Sequence, residues 1–261
     1  MLDRLQRWLA GTPARQALPE ARWRALEAGL PCLQFLPAEA RGRLRAMALA
    51  FVAEKEFYGA HGFALDDDIL LSIALQACLP VLNLGLERYR HWVGIVVYDG
   101  DFVVDREIVD EDGIVHSGAD ILLGEAWQGG PVIVSWDPAA HPGCNVVIHE
   151  FAHTLDMANG EADGFPPLRA GMSRDAWSNA FSRAYDDLCR RVDHDLDTAL
   201  DPYASEHPAE FFAVASEAFF ETPLDLREAY PAVYAQLAAF YGLDTAAGEA
   251  ALPRADPHPA P

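Results

Sequence analysis

A chain of 261 residues, 51% of them hydrophobic, is long enough for one large domain or two small ones and can bury a substantial core. Its net charge of -21, from 19 basic and 40 acidic residues, argues against nucleic-acid binding, which depends on neutralising phosphates. The charge suits docking on a basic partner surface, and it also fits a compositional bias towards Ala, Arg, Asp and Pro.

The cysteines Cys32, Cys78, Cys144 and Cys189 form no C-x-x-C pair and read as reduced thiols. The start, Met1-Leu2-Asp3-Arg4-Leu5, lacks the long apolar run of a leader. The most apolar stretch, near residues 69 to 85, is broken by polar residues and Pro80, so no membrane span is expected. A cytoplasmic protein is the resulting expectation.

Residues 1 to 16 are weakly patterned and read as a loosely ordered start. Pro19-Glu20 opens a helix over residues 19 to 30, and Leu36-Pro37 precedes a second, with Leu44, Met47, Ala48 and Phe51 at helical spacing up to about Lys55. Lys55-Glu56-Phe57-Tyr58-Gly59 reads as a loop. Asp66-Asp67-Asp68 reads as the capped start of a third helix, carrying Ile69, Leu71, Ile73, Ala74 and Cys78 towards Pro80, rather than as a metal site. Near residue 94 the pattern turns to short β-branched runs at 94–98, 102–104, 113–116 and 131–136, with Asp99-Gly100 as a hairpin signal. These predict a small antiparallel or mixed sheet. His116 and His141 each stand alone in polar loops and read as non-ligands.

Residues 145 to 160 hold the strongest signal in the chain. Val146, Val147, Ile148, Phe151, Ala152 and Leu155 are apolar on most sides, as in a helix buried in a domain interior. Asn145 can cap its start, and Asn159-Gly160 ends it. His149 and His153 lie four apart and project from one face, so their ring nitrogens can share one zinc ion. Glu150 sits about 100° round the helix, out of the ligand set but within reach of a zinc-bound water. This H-E-x-x-H arrangement is what a zinc peptidase needs: two neutral imidazoles hold the metal and a carboxylate takes the water's proton.

A catalytic zinc takes three protein ligands and keeps one position open. A third histidine six residues after His153, with Gly midway, is absent, because those positions are Asn159 and Asp156. Asp156 reads as a carboxylate orienting an imidazole or a nearby backbone group. Residues 161 to 175 are rich in Gly and Pro and read as a loop over the site; 175 to 192 read as a helix with Trp177, Phe181, Tyr185 and Leu188 along one side. His194, between aspartates, reads as surface, as do Asp186 and Asp187. Pro208 opens a further helix, buried through Phe211, Phe212, Val214, Ala215 and Phe219, that carries Glu210 and Glu217 seven apart on one face. Spacing alone does not choose between these acids as the third ligand. A last helix runs from Tyr230 to Tyr241 and stops at Gly242, and the Pro/Ala-rich tail reads as disordered.

His149 through Asp156, with Asp201-Pro202-Tyr203 and Pro208-Ala209-Glu210-Phe211-Phe212-Ala213, resembles the Mlc titration factor A family of bacterial zinc peptidases. That family's site is similar to the catalytic domain of anthrax lethal factor. The resemblance extends to Leu79-Pro80-Val81-Leu82-Asn83-Leu84-Gly85 and to Ala126-Trp127 and Gly130 through Trp136, leaving out only residues 1 to 15 and 245 to 261. It implies Glu210 as the third ligand and Tyr203, seven residues earlier, as a hydroxyl near the scissile carbonyl. Lethal factor has an acid four residues after its ligand; here that position is Val214, and the role of supporting a ligand falls to Glu217.

The expected architecture is α+β: a zincin-like metallopeptidase domain over residues 17–245, with N-terminal helices, a small mixed sheet and a two-helix site for one zinc, followed by a disordered tail, 246–261. The expected activity is aminopeptidase-like cleavage of short peptides, with Glu150 as base and Tyr203 as oxyanion donor. A strand within 117 to 136 would hold the substrate backbone by strand addition. The resemblance also implies binding to the repressor Mlc. The competing readings are a non-catalytic, zinc-containing regulator and a closed structural zinc with Cys144 or Asp156 as a fourth ligand.

Overall fold

The computed structural model describes residues 18–100, 102–109, 115–122, 124–126, 129–136 and 145–251, with the backbone alone at 102–109, 115–122 and 124–125. Three helices come first: α1 (Glu20–Ala28), α2 (Ala38–Glu54) and α3 (Asp67–Cys78). On α2 the buried Ala40, Leu44, Ala48 and Phe51 recur at helical spacing, so one stripe faces the core. On α3 every residue from Leu70 to Cys78 is buried, and Asp66 accepts hydrogen bonds from the backbone N–H groups of Asp68 and Ile69. The acidic run thus caps the helix, and Arg22 of α1 pairs with Asp67 and Asp68.

The strands are β1 (Glu56–Gly59), β2 (Gly94–Asp99), β3 (Phe102–Val109), β4 (Val115–Leu122), β5 (Gly124–Ala126) and β6 (Val132–Trp136). They form a four-stranded sheet in the order β1-β2-β6-β5 and a separate β3-β4 pair. β1, β2 and β6 run parallel, with Phe57 opposite Ile95 and Val97 opposite Val134, while β5 runs antiparallel to β6. The sheet is therefore mixed.

Three expectations need correction. Lys55–Gly59 is not a loop, because Glu56–Gly59 adds to the sheet as its edge strand β1. Asp99-Gly100 does not close a hairpin: β2 pairs with β1 and β6, β3 pairs with β4, and the Gly100 N–H donates to the Trp136 carbonyl. His116 stands inside β4, opposite Ile108, rather than in a loop; His141 and Cys144 lie outside the described residues.

After the sheet come α4 (Val146–Asp156), α5 (Arg174–Asp193), α6 (Pro208–Glu221), α7 (Pro223–Ala229), α8 (Pro231–Tyr241) and α9 (Thr245–Ala250). Gly242 ends α8 in the left-handed region, at φ 66°. The short α9 follows, with Thr245 and Ala246 buried.

Two aromatic clusters position α4 and α6. Phe151 of α4 meets Phe51, Tyr89 and Trp92 edge-on at 5.1–5.7 Å between ring centres. Phe211 and Phe212 of α6 pack against Phe181, which stacks on Trp177 at 4.2 Å. Each helix is thus anchored through its apolar side, with its polar side turned towards the other helix. Among the described residues no helix is long and apolar enough to cross a membrane.

Candidate metal centre

On α4, Asn145 caps the start: its side-chain oxygen accepts from the Ile148 N–H at 3.0 Å. Val147, Ile148, Phe151, Ala152 and Leu155 are buried, which leaves His149 and His153 on the side facing α6. On α6, His207 is the N-cap and Pro208 the first residue, so Glu210 falls in the first turn. The packing of α4 against α6 brings the three side chains together.

His149 Nε2 is 3.1 Å from Glu210 Oε2 and 3.1 Å from His153 Nε2, and His153 Nε2 is 3.3 Å from Glu210 Oε2. The side chains of His149, His153 and Glu210 are 13, 12 and 20% exposed, so none of the three is sealed in the core.

Glu217, two turns along α6, is not the third converging carboxylate. One of its oxygens lies 2.7 Å from His149 Nδ1, and the other accepts from the backbone N–H of Asn145. With its Nδ1 hydrogen donated to Glu217, a neutral His149 turns a bare Nε2 lone pair towards Glu210 and His153. The sequence left two acids open; the structure separates them into one beside both imidazoles and one behind a single imidazole. Val214, four residues after Glu210, is buried and apolar.

Two imidazole nitrogens and a carboxylate oxygen this close are all electron-pair donors, so they need a shared cation or proton. Burial alone would lower the pKa of His149, but the carboxylates of Glu210 and Glu217 outweigh it and push it up to about 10. Burial would raise the pKa of Glu210, yet His149 and His153 hold it well below the usual carboxylate range. The donor set fits a metal ion, and the N₂O combination is one that zinc accepts.

Glu150 is buried beside this triad and adds to the negative field on His149. Tyr203 stands at the rim, 43% exposed, with its ring centre 6.2 Å from that of His149. Its backbone is fixed: Asp201 caps the short turn Pro202–Ser205 by accepting from the Tyr203 N–H, and Tyr185 of α5 donates its hydroxyl to the Ser205 carbonyl at 2.9 Å.

Asp156 does not join the triad and orients no imidazole; it accepts from the backbone N–H of Gly164 at 2.7 Å. His194 is exposed, with its ring against the Arg190 carbonyl. Asp187, read as a surface charge, accepts hydrogen bonds from Arg190, Arg191 and the Tyr230 hydroxyl.

Sequence reasoning missed what holds the start of α4. The Asn145 side-chain amide donates to Gln76 of α3 at 2.8 Å and to Glu221 of α6 at 2.7 Å. The only hint was an Asn at a helix start, which foretells the cap but not the two partners.

Residues 4–242 match the family model described as glucose-regulated metallo-peptidase M90. The chain belongs to the M90 metallopeptidase family. The match takes in residues 4 to 15, which the resemblance had left out. Among curated relatives, proteins called Mlc titration factor A from Escherichia fergusonii and Salmonella gallinarum are 37% and 38% identical to this M90 chain. Each alignment covers 82% of this chain and 83% of the relative. An uncharacterized protein of Synechocystis is 36% identical over 82% of this chain and 81% of its own length. The triad of His149, His153 and Glu210 is thus a candidate metal centre in a metallopeptidase family member.

Proposed function

We propose that this chain is a zinc-dependent peptidase, with one zinc held by His149, His153 and Glu210, acting on short peptides in an aminopeptidase-like manner. The observation that carries the reading is the convergence of those three donors within 4.8 Å, beside a buried glutamate, in an M90 family member. The preference for short peptides rests on the family resemblance alone. Free thiols at Cys32, Cys78 and Cys189 support a cytoplasmic setting.

When bound there, zinc would supply a Lewis acid that polarises the scissile carbonyl and makes a water far more acidic, towards a pKa of about 7. Glu150 takes a proton from the attacking water and later delivers it to the leaving amine. The Tyr203 hydroxyl donates a hydrogen bond to the tetrahedral oxyanion, a role worth a few kcal/mol. Glu217 keeps the His149 ring oriented with Nε2 forward. β5, the edge strand opposite β1, lies against α4, which supports a role for it in taking a substrate backbone by strand addition.

Elemental analysis of purified protein tests the centre: about one zinc per chain in the wild type and none in Glu210→Ala supports it, whereas retention in Glu210→Ala sinks this ligand set. Glu150→Gln should keep the zinc and abolish peptide cleavage. Tyr203→Phe should lower kcat with metal content unchanged.

A second reading, binding to the repressor Mlc, is favoured by the name of the relatives and by the net charge of -21, which suits a basic DNA-binding partner. Pull-down of Mlc by folded, zinc-free Glu210→Ala separates the two: capture makes binding independent of the metal, and loss ties it to the centre.

A further inference from the structure

We propose that Asp156 is a positioning residue for the metal centre, acting through Gly164 to set the distance between the helix bearing His149 and His153 and the helix bearing Glu210. The inference rests on the three-residue zinc site proposed above. Asp156 is the last residue of α4 and is fully buried. Its Oδ2 accepts from the Gly164 N–H at 2.7 Å, and its Oδ1 has no hydrogen-bond partner among the described residues. A carboxylate there is costly to desolvate, and an apolar side chain would fill the space without that penalty. What the carboxylate adds is one fixed acceptor for one backbone N–H.

Gly164 is held from two further directions. Its carbonyl accepts from the indole N–H of the buried Trp177 at 3.1 Å. Its α-carbon faces the first residue of α6: a Cβ at this position would fall 2.5 Å from the Pro208 carbonyl oxygen. The backbone there is left-handed, at φ 78°, which again favours glycine. The end of α4, Gly164 and the start of α6 therefore stack through one short carboxylate and backbone atoms, with no flexible side chain in the path. Glu210 follows Pro208 by two residues, so a shift of the Pro208 carbonyl carries the ligand with it. Metal sites tolerate misplacement of only about 0.5 Å, less than a Cβ in that gap would impose.

The test is zinc affinity, measured by chelator competition on full-length protein shown to be folded by circular dichroism. Asp156→Ala and Gly164→Ala should weaken zinc binding ten- to a hundred-fold, while Asp156→Asn, which keeps an oxygen for the Gly164 N–H, should stay near wild type. In a Glu210→Ala background, which loses its stoichiometric zinc, the weak residual binding by the two histidines should be the same with and without these substitutions, because the spacing to α6 then no longer matters. If Asp156→Ala does not fold, Trp177→Phe, which removes the indole donor to Gly164 together with part of the ring stacked on Phe181, takes its place with a smaller expected loss. Affinities unchanged in Gly164→Ala, or reduced equally with and without Glu210, overturn the inference while leaving the zinc site standing. A wild type that binds no zinc removes both.

Discussion

The two ends of α4 are held by opposite means. At its start, side chains do the holding: the Asn145 cap, Glu217 bridging the Asn145 N–H and the His149 ring, and the amide of Asn145 reaching Gln76 and Glu221. At its end, one buried carboxylate binds the backbone of a loop. The start uses both oxygens of its acid, whereas the end uses one. An ionised carboxylate accepts at two atoms and an amide at only one, so exchanging acid for amide distinguishes the two ends.

The largest effect is expected at the start. Glu217→Gln must set an NH₂ group against either the Asn145 N–H or His149 Nδ1. It should lower zinc affinity about ten- to a hundred-fold, close to Glu217→Ala, as read by chelator competition; wild-type affinity would show that the second oxygen is idle. Next is Asn145→Ala, which removes the cap and the links to Gln76 and Glu221 together. It should cost about 1–2 kcal/mol in urea unfolding.

A smaller effect concerns pH at the far end. Burial pushes the Asp156 carboxyl up to about 7 from its ordinary 3.8, against the hydrogen bond from the Gly164 N–H, which lowers it. The folded state then holds a proton that the unfolded chain releases. This contribution to stability is complete below pH 3.8 and is lost as pH rises through 7. Wild type minus Asp156→Asn should therefore show unfolding stability falling by about 1 kcal/mol between pH 6 and pH 8, measured by urea titration. A flat difference would mean that Asp156 is ionised throughout. The smallest effect is reserved for His194→Ala, at neither end of α4, which should leave zinc content unchanged and stability within about 0.5 kcal/mol.

What the sequence revealed depended on how local each signal is. The His149-Glu150-Phe151-Ala152-His153 helix was legible because its apolar side, its cap and its spacing all lie within twelve residues, Asn145 to Asp156. The acidic start of α3 was legible for the same reason. β1 was not, because it is four residues long and Phe57 is its one buried side chain, too little for an alternating pattern. Asp99-Gly100 misled because a turn dipeptide says nothing of which strand will pair, and parallel pairing with β6 prevailed. Among the acids of α6, periodicity placed Glu210 and Glu217 on one face, but only the packing of α4 against α6 decides which reaches both imidazoles. The contact of Gly164 with Pro208 is between distant backbone atoms and leaves no trace in composition beyond a glycine in a loop.

Lys55 is the single lysine in the chain. Its ammonium is buried between the end of α2 and the aromatic cluster, donating to the Tyr89 and Trp92 carbonyls and lying 3.9 Å from the centre of the Trp92 ring. The folded surface therefore offers no lysine amine to acylating reagents, crosslinkers or enzymes that modify lysine. A lysine-specific protease has one peptide bond to cut, and that bond follows a residue locked behind the helix that carries the histidines. The rate of that single cut, compared with and without zinc, is a direct clock for how often the core behind the metal centre opens.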